Sequence, residues 1–132
     1  MNDEFDPLTE KIIGCAFTVS NGLGIGFLEK VYENALAHEM RKQSLLVEQQ
    51  KQVSVVYDGV VVGEYQADLV VGKRVIVELK AAKGLDDVHM AQCLNYLKAT
   101  GLKTVLLLNF GTAKLGIKRI SLEPPMDADE LR

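Results

Sequence analysis

The amino-acid sequence predicts an α/β protein of the α+β kind, in which a mixed β-sheet is flanked by helices. Apolar residues with helical spacing alternate along the chain with stretches that have the two-residue period of strands. Asp58-Gly59 joins two of these stretches, and both residues tolerate the positive φ that a tight hairpin turn requires. Residues 103–110, KTVLLLNF, form the continuous apolar run that is typical of a buried central strand. The predicted element order is α-α-β-β-β-α-β-β.

Two helices are predicted before the first strand. The first begins with a cap at Thr9 and ends at the asparagine and glycines that follow residue 20. The second runs from about residue 26 to 43, and its wide apolar arc indicates that most of it is buried. The third helix is capped by Asp86 or Asp87 and runs to about residue 99, before a glycine stops it.

Five strands are predicted. Residues 47–81 form a three-stranded antiparallel meander, because the Asp58-Gly59 turn is followed by a second turn at Gly72 and Lys73. Residues 103–110 add the buried strand. Residues 114–122, KLGIKRISL, add an edge strand.

A single domain is expected over residues 8–121, since a chain of 132 residues suits one hydrophobic core. Residues 1–7 are polar and are expected to be flexible, and the acidic, proline-containing residues 122–132 are expected to be disordered. No apolar run reaches the ~20 residues that span a bilayer. The start of the chain also lacks the apolar segment of a signal peptide. The expectation is therefore a cytoplasmic protein without a membrane partner.

The cysteines and histidines do not indicate a zinc site. Cys15 and Cys93 both fall in predicted helices, without a cysteine or histidine at metal-ligand spacing, and are interpreted as buried, reduced thiols. His38 and His89 are isolated from one another and from the cysteines.

The net charge of −3 counts mildly against a protein that binds nucleic acid through its overall charge. The sequence has no basic arm or basic run. Binding of nucleic acid would therefore need a local cluster of charge, a protein partner or a second copy of the chain.

Charged residues interrupt the apolar strands of the meander at Asp68, Glu78 and Lys80. Glu78 and Lys80 share one face of a strand, because residues two apart point to the same side. A hairpin turning at Gly72 would bring Asp68 close to Glu78, where the two carboxylates repel each other. A divalent cation with a preference for oxygen ligands, Mg²⁺ or Mn²⁺, would remove that repulsion. Lys80 beside it could position a water or stabilise charge on a phosphate, which predicts metal-assisted phosphodiester hydrolysis.

The hairpin alone leaves a simpler interpretation open. Glu78 and Lys80 could form a surface cross-strand pair, with Asp68 marking the end of a strand. The spacing of the three residues is a weak signal by itself.

Further candidates lie on two helices. Gln92 and Tyr96 are four residues apart and so share a helix face, although a tyrosine at the core edge beside a solvated glutamine would look the same. Glu29 lies at the edge of the second helix's apolar arc, either as a surface charge or as another metal ligand. Glu33, one turn later, is the weaker candidate of the two.

The motif Gly26-x-x-Glu29-x-x-Tyr32 resembles the one that names the GxxExxY protein family, which is assigned to the PD-(D/E)XK nuclease superfamily. The resemblance extends over about residues 8–121. The matching stretches occur in order and are NGLGIGFLEKVYENAL, GEYQADLVV, VIVELKA, AQCLNYLKATG and LLLNFG. One departure is visible, because Ala67 stands where the superfamily's name has a proline.

The resemblance implies a restriction-endonuclease-like αβββαβ core, here with an added N-terminal helix and an added C-terminal edge strand. It implies that Asp68 and Glu78 are metal ligands and that Lys80 is the catalytic lysine, with the carbonyl of Leu79 as another ligand. Glu29 resembles the helix glutamate that some of these nucleases add to the metal shell.

Gln92-x-x-x-Tyr96 resembles a helix motif of RecB-like exonucleases that helps to bind DNA. The resemblance therefore makes nucleic acid, with DNA favoured, the expected partner.

Three functions follow as hypotheses. The first is a Mg²⁺- or Mn²⁺-dependent nuclease that cuts DNA or RNA. The second is a non-catalytic module that kept the nuclease fold and binds a nucleic acid or a protein partner. The third is a metal-dependent phosphoesterase that acts on a small nucleotide. Metal binding at Asp68 and Glu78 separates the first from the second, and activity on mononucleotides separates the third from the first.

Overall fold

The structure, a computed structural model, describes residues 6–121 of the chain. Residues 1–5 of the predicted flexible start lie outside the described residues, as does the predicted acidic tail, 122–132. The other two residues of that start, Asp6 and Pro7, belong to the first helix and its cap.

The predicted fold class and element order are confirmed. The helices are α1 (Pro7–Leu23), α2 (Glu29–Lys42) and α3 (Asp87–Thr100), and the strands are β1 (Val47–Tyr57), β2 (Val60–Val71), β3 (Val75–Lys80), β4 (Thr104–Asn109) and β5 (Gly116–Ser121). The strands lie in one sheet in the order β1-β2-β3-β4-β5. Only the β3–β4 pair is parallel, because α3 crosses between those two strands. Within the described part of the chain, none of the helices is both long and apolar enough to cross a membrane.

Helix α1 begins earlier than the predicted cap at Thr9. The Asp6 side chain accepts a hydrogen bond from the Leu8 amide at 3.0 Å, and Pro7 occupies the first turn, where its missing N–H is harmless. Arg74 Nη2 also lies 3.0 Å from Asp6 Oδ1, which joins the start of the helix to the turn before β3. Thr9 is instead a buried residue of the first helical turn.

Both predicted turns of the meander are confirmed. Asp58 and Gly59 have φ values of 54° and 78°, and Gly72 and Lys73 have values of 60° and 56°. Positive φ at both central residues gives a turn whose twist matches that of the paired strands. Strands β1 and β2 continue well past the residues that pair with β3, so their far halves form a two-stranded ribbon.

The sheet separates two apolar clusters. On one face, α1 and α2 pack over residues of β1, β2, β3 and β4, and on the other face α3 packs over residues of all five strands. Strand β4 is buried along its whole length, as predicted, whereas β5 lies at the edge of the sheet.

Candidate functional site

The candidate site lies where β2 and β3 separate. The antiparallel ladder between them ends at the pair Leu69 and Val77. Asp68 and Glu78 are the next residues on the two strands, and they do not continue the ladder. The backbone N–H groups at this point therefore need acceptors other than the neighbouring strand.

The two carboxylates are those acceptors, because each one accepts a hydrogen bond from a backbone amide of the strand that carries the other. The Leu79 amide donates to Asp68 Oδ2 at 2.9 Å, and the Asp68 amide donates to Glu78 Oε2 at 2.7 Å. The first bond has the usual length of an N–H···O hydrogen bond and the second is shorter. They hold the two acids side by side at the open end of the β2–β3 pair.

Burial and mutual repulsion disfavour charge on this pair. Removal from water and, after it, the charge of the Asp68 carboxylate raise the pKa of Glu78 to about 8, against the opposing effects of the Asp68 amide and of Lys80. Desolvation also raises the pKa of Asp68, and the charges of Glu33 and Glu29 add to the effect, whereas the Leu79 amide opposes it. A bound cation would favour the charged form of both groups.

Lys80 is the last residue of β3 and is half-buried beside this pair. Its carbonyl accepts a hydrogen bond from the Phe110 amide at 2.8 Å, on the side of β4. The N–H and C=O groups of one strand residue point to the same neighbouring strand, and those of the next residue point to the strand on the other side. The Leu79 N–H donates a hydrogen bond to Asp68, so both backbone groups of Leu79 point towards β2. The Leu79 carbonyl thus points into the gap between β2 and β3, where the Asp68 carboxylate also lies.

The structure distinguishes the two glutamates of α2. Glu29 is exposed in the first helical turn, and among the described residues it has no hydrogen bond to the carboxylate pair. Glu33 is only 4% exposed. Its two oxygens accept hydrogen bonds from the side chains of Lys30, Gln49 and Gln50. Of the two glutamates on α2, Glu33 is therefore the one that is linked to the carboxylate pair, through Gln50. The sequence favours it less than Glu29 as a metal ligand.

Sequence reasoning missed Gln50 altogether. Its side-chain Nε2 donates to Glu33 Oε1 at 2.7 Å and lies 3.4 Å from Asp68 Oδ1, so it links α2 to the carboxylate pair. No local pattern distinguishes this glutamine from the one before it. Its role depends on how α2 packs against β1.

Sequence reasoning also missed Asn109, which fixes the chain just after Lys80. Asn109 Oδ1 accepts from the amides of Ala82 and Gly111, and Asn109 Nδ2 donates to the Ala82 carbonyl, each at 3.0 Å. A side chain at Gly111 would collide with the Ala82 backbone. The three hydrogen bonds of Asn109 and the close approach of Gly111 form a clamp on the chain after Lys80. The one local signal for this clamp was an asparagine near the end of a long apolar run.

Gln92 and Tyr96 share one face of α3, as predicted from their spacing. Gln92 Nε2 donates weakly to the Tyr96 hydroxyl at 3.4 Å. Both residues line a groove of about 770 Å³ between α3 and the β1–β2 ribbon, where Tyr65 meets the Tyr96 ring edge to face. Desolvation raises the pKa of Tyr96 to about 12, and the charges of Glu78 and Asp68 contribute, so the phenol is neutral and close to the site.

The two cysteines are free and buried. Cys93 lies under the site on α3, and burial, followed by the charge of Glu78, raises the pKa of its thiol to about 12. The thiol is therefore protonated and poorly reactive.

The donor atoms at this site suit a hard divalent cation. Two carboxylates and a backbone carbonyl, from Asp68, Glu78 and Leu79, are the oxygen ligands that Mg²⁺ and Mn²⁺ prefer. Within residues 6–121, however, no three His, Cys, Asp or Glu side chains are gathered closely enough to hold a metal ion. Glu33 is the nearest further carboxylate by its contacts, and Gln50 stands between it and Asp68.

Comparison with models of known families gives a match over most of the chain. The family model of the PD-(D/E)XK nuclease superfamily matches residues 6–120, which is most of the chain. No curated protein and no solved structure matches the chain.

Proposed function

The chain belongs to the PD-(D/E)XK nuclease superfamily, and from that premise we propose that it is a Mg²⁺-dependent nuclease that hydrolyses phosphodiester bonds of DNA. The observation that carries the proposal is the reciprocal arrangement of Asp68 and Glu78, with Lys80 two residues further along β3. Mn²⁺ is the alternative cation and RNA the alternative substrate.

Each residue of the site has a role in this proposal. Asp68, Glu78 and the Leu79 carbonyl hold the cation. The cation, when bound, offsets negative charge on the scissile phosphate and makes water a better nucleophile. Lys80 orients the attacking water and stabilises the charge that develops on the phosphate oxygens. Glu29 is a further proposed ligand, and the buried position of Glu33 makes it a candidate for the same task.

The groove beside α3 supports a polymeric substrate. It lies between a helix that carries Gln92 and Tyr96 and a ribbon that carries the exposed ring of Tyr65. Aromatic faces and amide groups can contact successive bases without reading a sequence. We therefore propose that Gln92 and Tyr96 bind the part of the nucleic acid strand that leads to the site at Lys80.

A non-catalytic module that binds nucleic acid or a protein partner is the second candidate. It is favoured by the lack of three gathered metal-binding side chains within the described residues, and by a net charge of −3. This candidate predicts binding of a polynucleotide or protein without cleavage.

The test is a cleavage assay with the full chain in Mg²⁺, in Mn²⁺ and in a chelator. Single-stranded DNA, duplex DNA, RNA and mononucleotides are compared as substrates. Metal-dependent cleavage of a polynucleotide supports the proposal, whereas turnover of mononucleotides alone would indicate a phosphoesterase. Binding of polynucleotide without cleavage in any metal would establish the second candidate instead.

The variant that tests the site is Glu78→Gln, which keeps an acceptor for the Asp68 amide and removes the charge. The matched control is Glu64→Gln, an exposed acid on β2. Loss of cleavage in the first variant alone assigns the activity to the site. Equal activity in both variants would show that cleavage comes from elsewhere.

A further inference from the structure

Gln50 has an unusual backbone conformation directly beside the candidate site. Its φ is 52°, a left-handed value that few residues other than glycine adopt. The β1–β2 ladder pairs Gln49 with Leu69 and Lys51 with Ala67, but Gln50 and Asp68 between them do not pair. Leu69 and Ala67, two residues apart, pack in the clusters on opposite sides of the sheet. Both strands are therefore irregular at the position of Asp68.

This irregularity accompanies a specific placement of the Gln50 side chain. Its Nε2 lies between two carboxylates, 2.7 Å from Glu33 Oε1 and 3.4 Å from Asp68 Oδ1. Glu33 is buried and Asp68 is half-buried. An amide N–H₂ group can donate to two acceptors at once, so one neutral group holds two acids in place.

The Gln50 side chain could also act as a ligand for a cation. An amide also has a carbonyl oxygen, which is an accepted ligand for hard divalent cations. Half a turn about the last side-chain bond exchanges the nitrogen and the oxygen without moving the backbone. A cation between Glu33 and Asp68 would repel the N–H₂ group and attract that oxygen.

We propose that Gln50 belongs to the cation-binding shell of this site, as an amide that donates to Glu33 and Asp68 without cation and presents its oxygen when a divalent cation binds. The inference rests on the proposed function, because it concerns the same cation. It explains why Glu33 and the carboxylate pair are not gathered into one group of ligands, since the amide separates them.

The test combines metal binding with a direct view of the amide. In the wild-type chain labelled with ¹⁵N, Mg²⁺ is added and the backbone amides of Asp68 and Leu79 and the side-chain N–H₂ signals of Gln50 are followed by NMR. We expect all of them to shift with one dissociation constant. Mn²⁺ at trace concentration should broaden the same signals first.

Two variants of Gln50 and one control complete the experiment. Gln50→Gly removes the amide and adopts a φ of 52° without strain, so we expect the fold to be retained. We expect it to weaken Mg²⁺ binding by about 10- to 100-fold. Gln50→Glu, which keeps an oxygen ligand, should bind Mg²⁺ at least as tightly as the wild type. Gln52→Ala, an exposed glutamine on the same strand, should leave binding unchanged.

The outcomes separate this inference from the proposed function. A wild-type site that binds Mg²⁺ with the same or higher affinity after Gln50→Gly would overturn the role of Gln50 and leave the nuclease proposal standing. Static Gln50 side-chain signals during a normal backbone response would do the same. A wild-type chain without any response to Mg²⁺ or Mn²⁺ would overturn both.

Discussion

Asp68 and Glu78 each accept a hydrogen bond from the backbone of the strand that carries the other acid. Asp68 Oδ2 accepts from the Leu79 amide on β3, and Glu78 Oε2 accepts from the Asp68 amide on β2. The carboxylates thus replace the backbone acceptors that are lost where β2 and β3 separate. One arrangement therefore has two consequences. It orders the strand ends, and it brings the half-buried Asp68 and the buried Glu78 together in a position that suits a cation.

The first prediction separates charge from hydrogen bonding at this pair. Asp68→Asn keeps an acceptor for the Leu79 amide, so we expect a folded protein with at least 100-fold less cleavage, since a ligand charge is lost. Asp68→Ala leaves that amide without a partner and should lower the free energy of unfolding by about 1–3 kcal/mol relative to Asp68→Asn. Chemical denaturation and the cleavage assay measure the two effects. Equal stability of the two variants would show that the bond contributes nothing.

The second prediction concerns pH. The pKa of Glu78 is about 8 in the folded protein, against an ordinary value of 4.5 for a glutamate side chain, so the folded state binds this proton more tightly than the unfolded state does. The resulting stability is fully present below pH 4.5 and is lost as the pH rises through 8.

Without metal, the free energy of unfolding should therefore fall by on the order of a few kcal/mol across that range. Denaturation of wild type and Glu78→Gln at several pH values measures the difference. The variant should lack this fall, and Mg²⁺ should reduce it in the wild type. Parallel pH profiles for the two proteins would contradict the prediction.

The third prediction tests Lys80. Its proposed role is with the water and the phosphate, so Lys80→Ala should keep Mg²⁺ affinity within a few-fold while cleavage slows by about 10²- to 10³-fold. Metal titration by NMR and single-turnover kinetics measure the two quantities. Lys83→Ala, at an exposed lysine three residues later, is the control. A loss of metal binding in Lys80→Ala would make the assigned role wrong.

The fourth prediction compares the two glutamates of α2. Glu33 is buried and bonded to Gln50, whereas Glu29 is exposed. We expect Glu33→Gln to weaken Mg²⁺ binding by about 10- to 100-fold and Glu29→Gln to have the smaller effect. Metal titration of both variants decides between them. The reverse order would support the assignment of Glu29 that the sequence motif favours.

The fifth prediction concerns the clamp that follows Lys80. Gly111→Ala places a methyl group against the Ala82 backbone and should destabilise the protein by about 1–3 kcal/mol or more. Gly14→Ala is the matched control, because it lies on the exposed face of α1 with open space around it, and it should stabilise the helix by roughly 0.5–1 kcal/mol. Thermal denaturation of both variants measures this. A stable Gly111→Ala protein would show that the loop moves freely.

Local chemistry in the sequence was enough for the order of the elements and for both turns of the meander. Asp58-Gly59 and Gly72-Lys73 adopt positive φ because of their own residue types, and the apolar run of β4 is buried along its length. The start of α1 was misjudged, since Asp6 could cap the helix as well as Thr9 could, and only its contacts with Leu8 and Arg74 decide between them.

The sequence by itself determined which three charged residues interrupt the strands, because the two-residue period of a strand and a glycine turn are local properties that bring Asp68, Glu78 and Lys80 together. The tertiary structure alone decided what the acids contact. The point where β2 leaves β3, and the packing of α2 against β1 that places Glu33 and Gln50 beside Asp68, depend on contacts between residues far apart in the chain. Such contacts leave no periodic trace in the sequence, whereas turns and strand faces do.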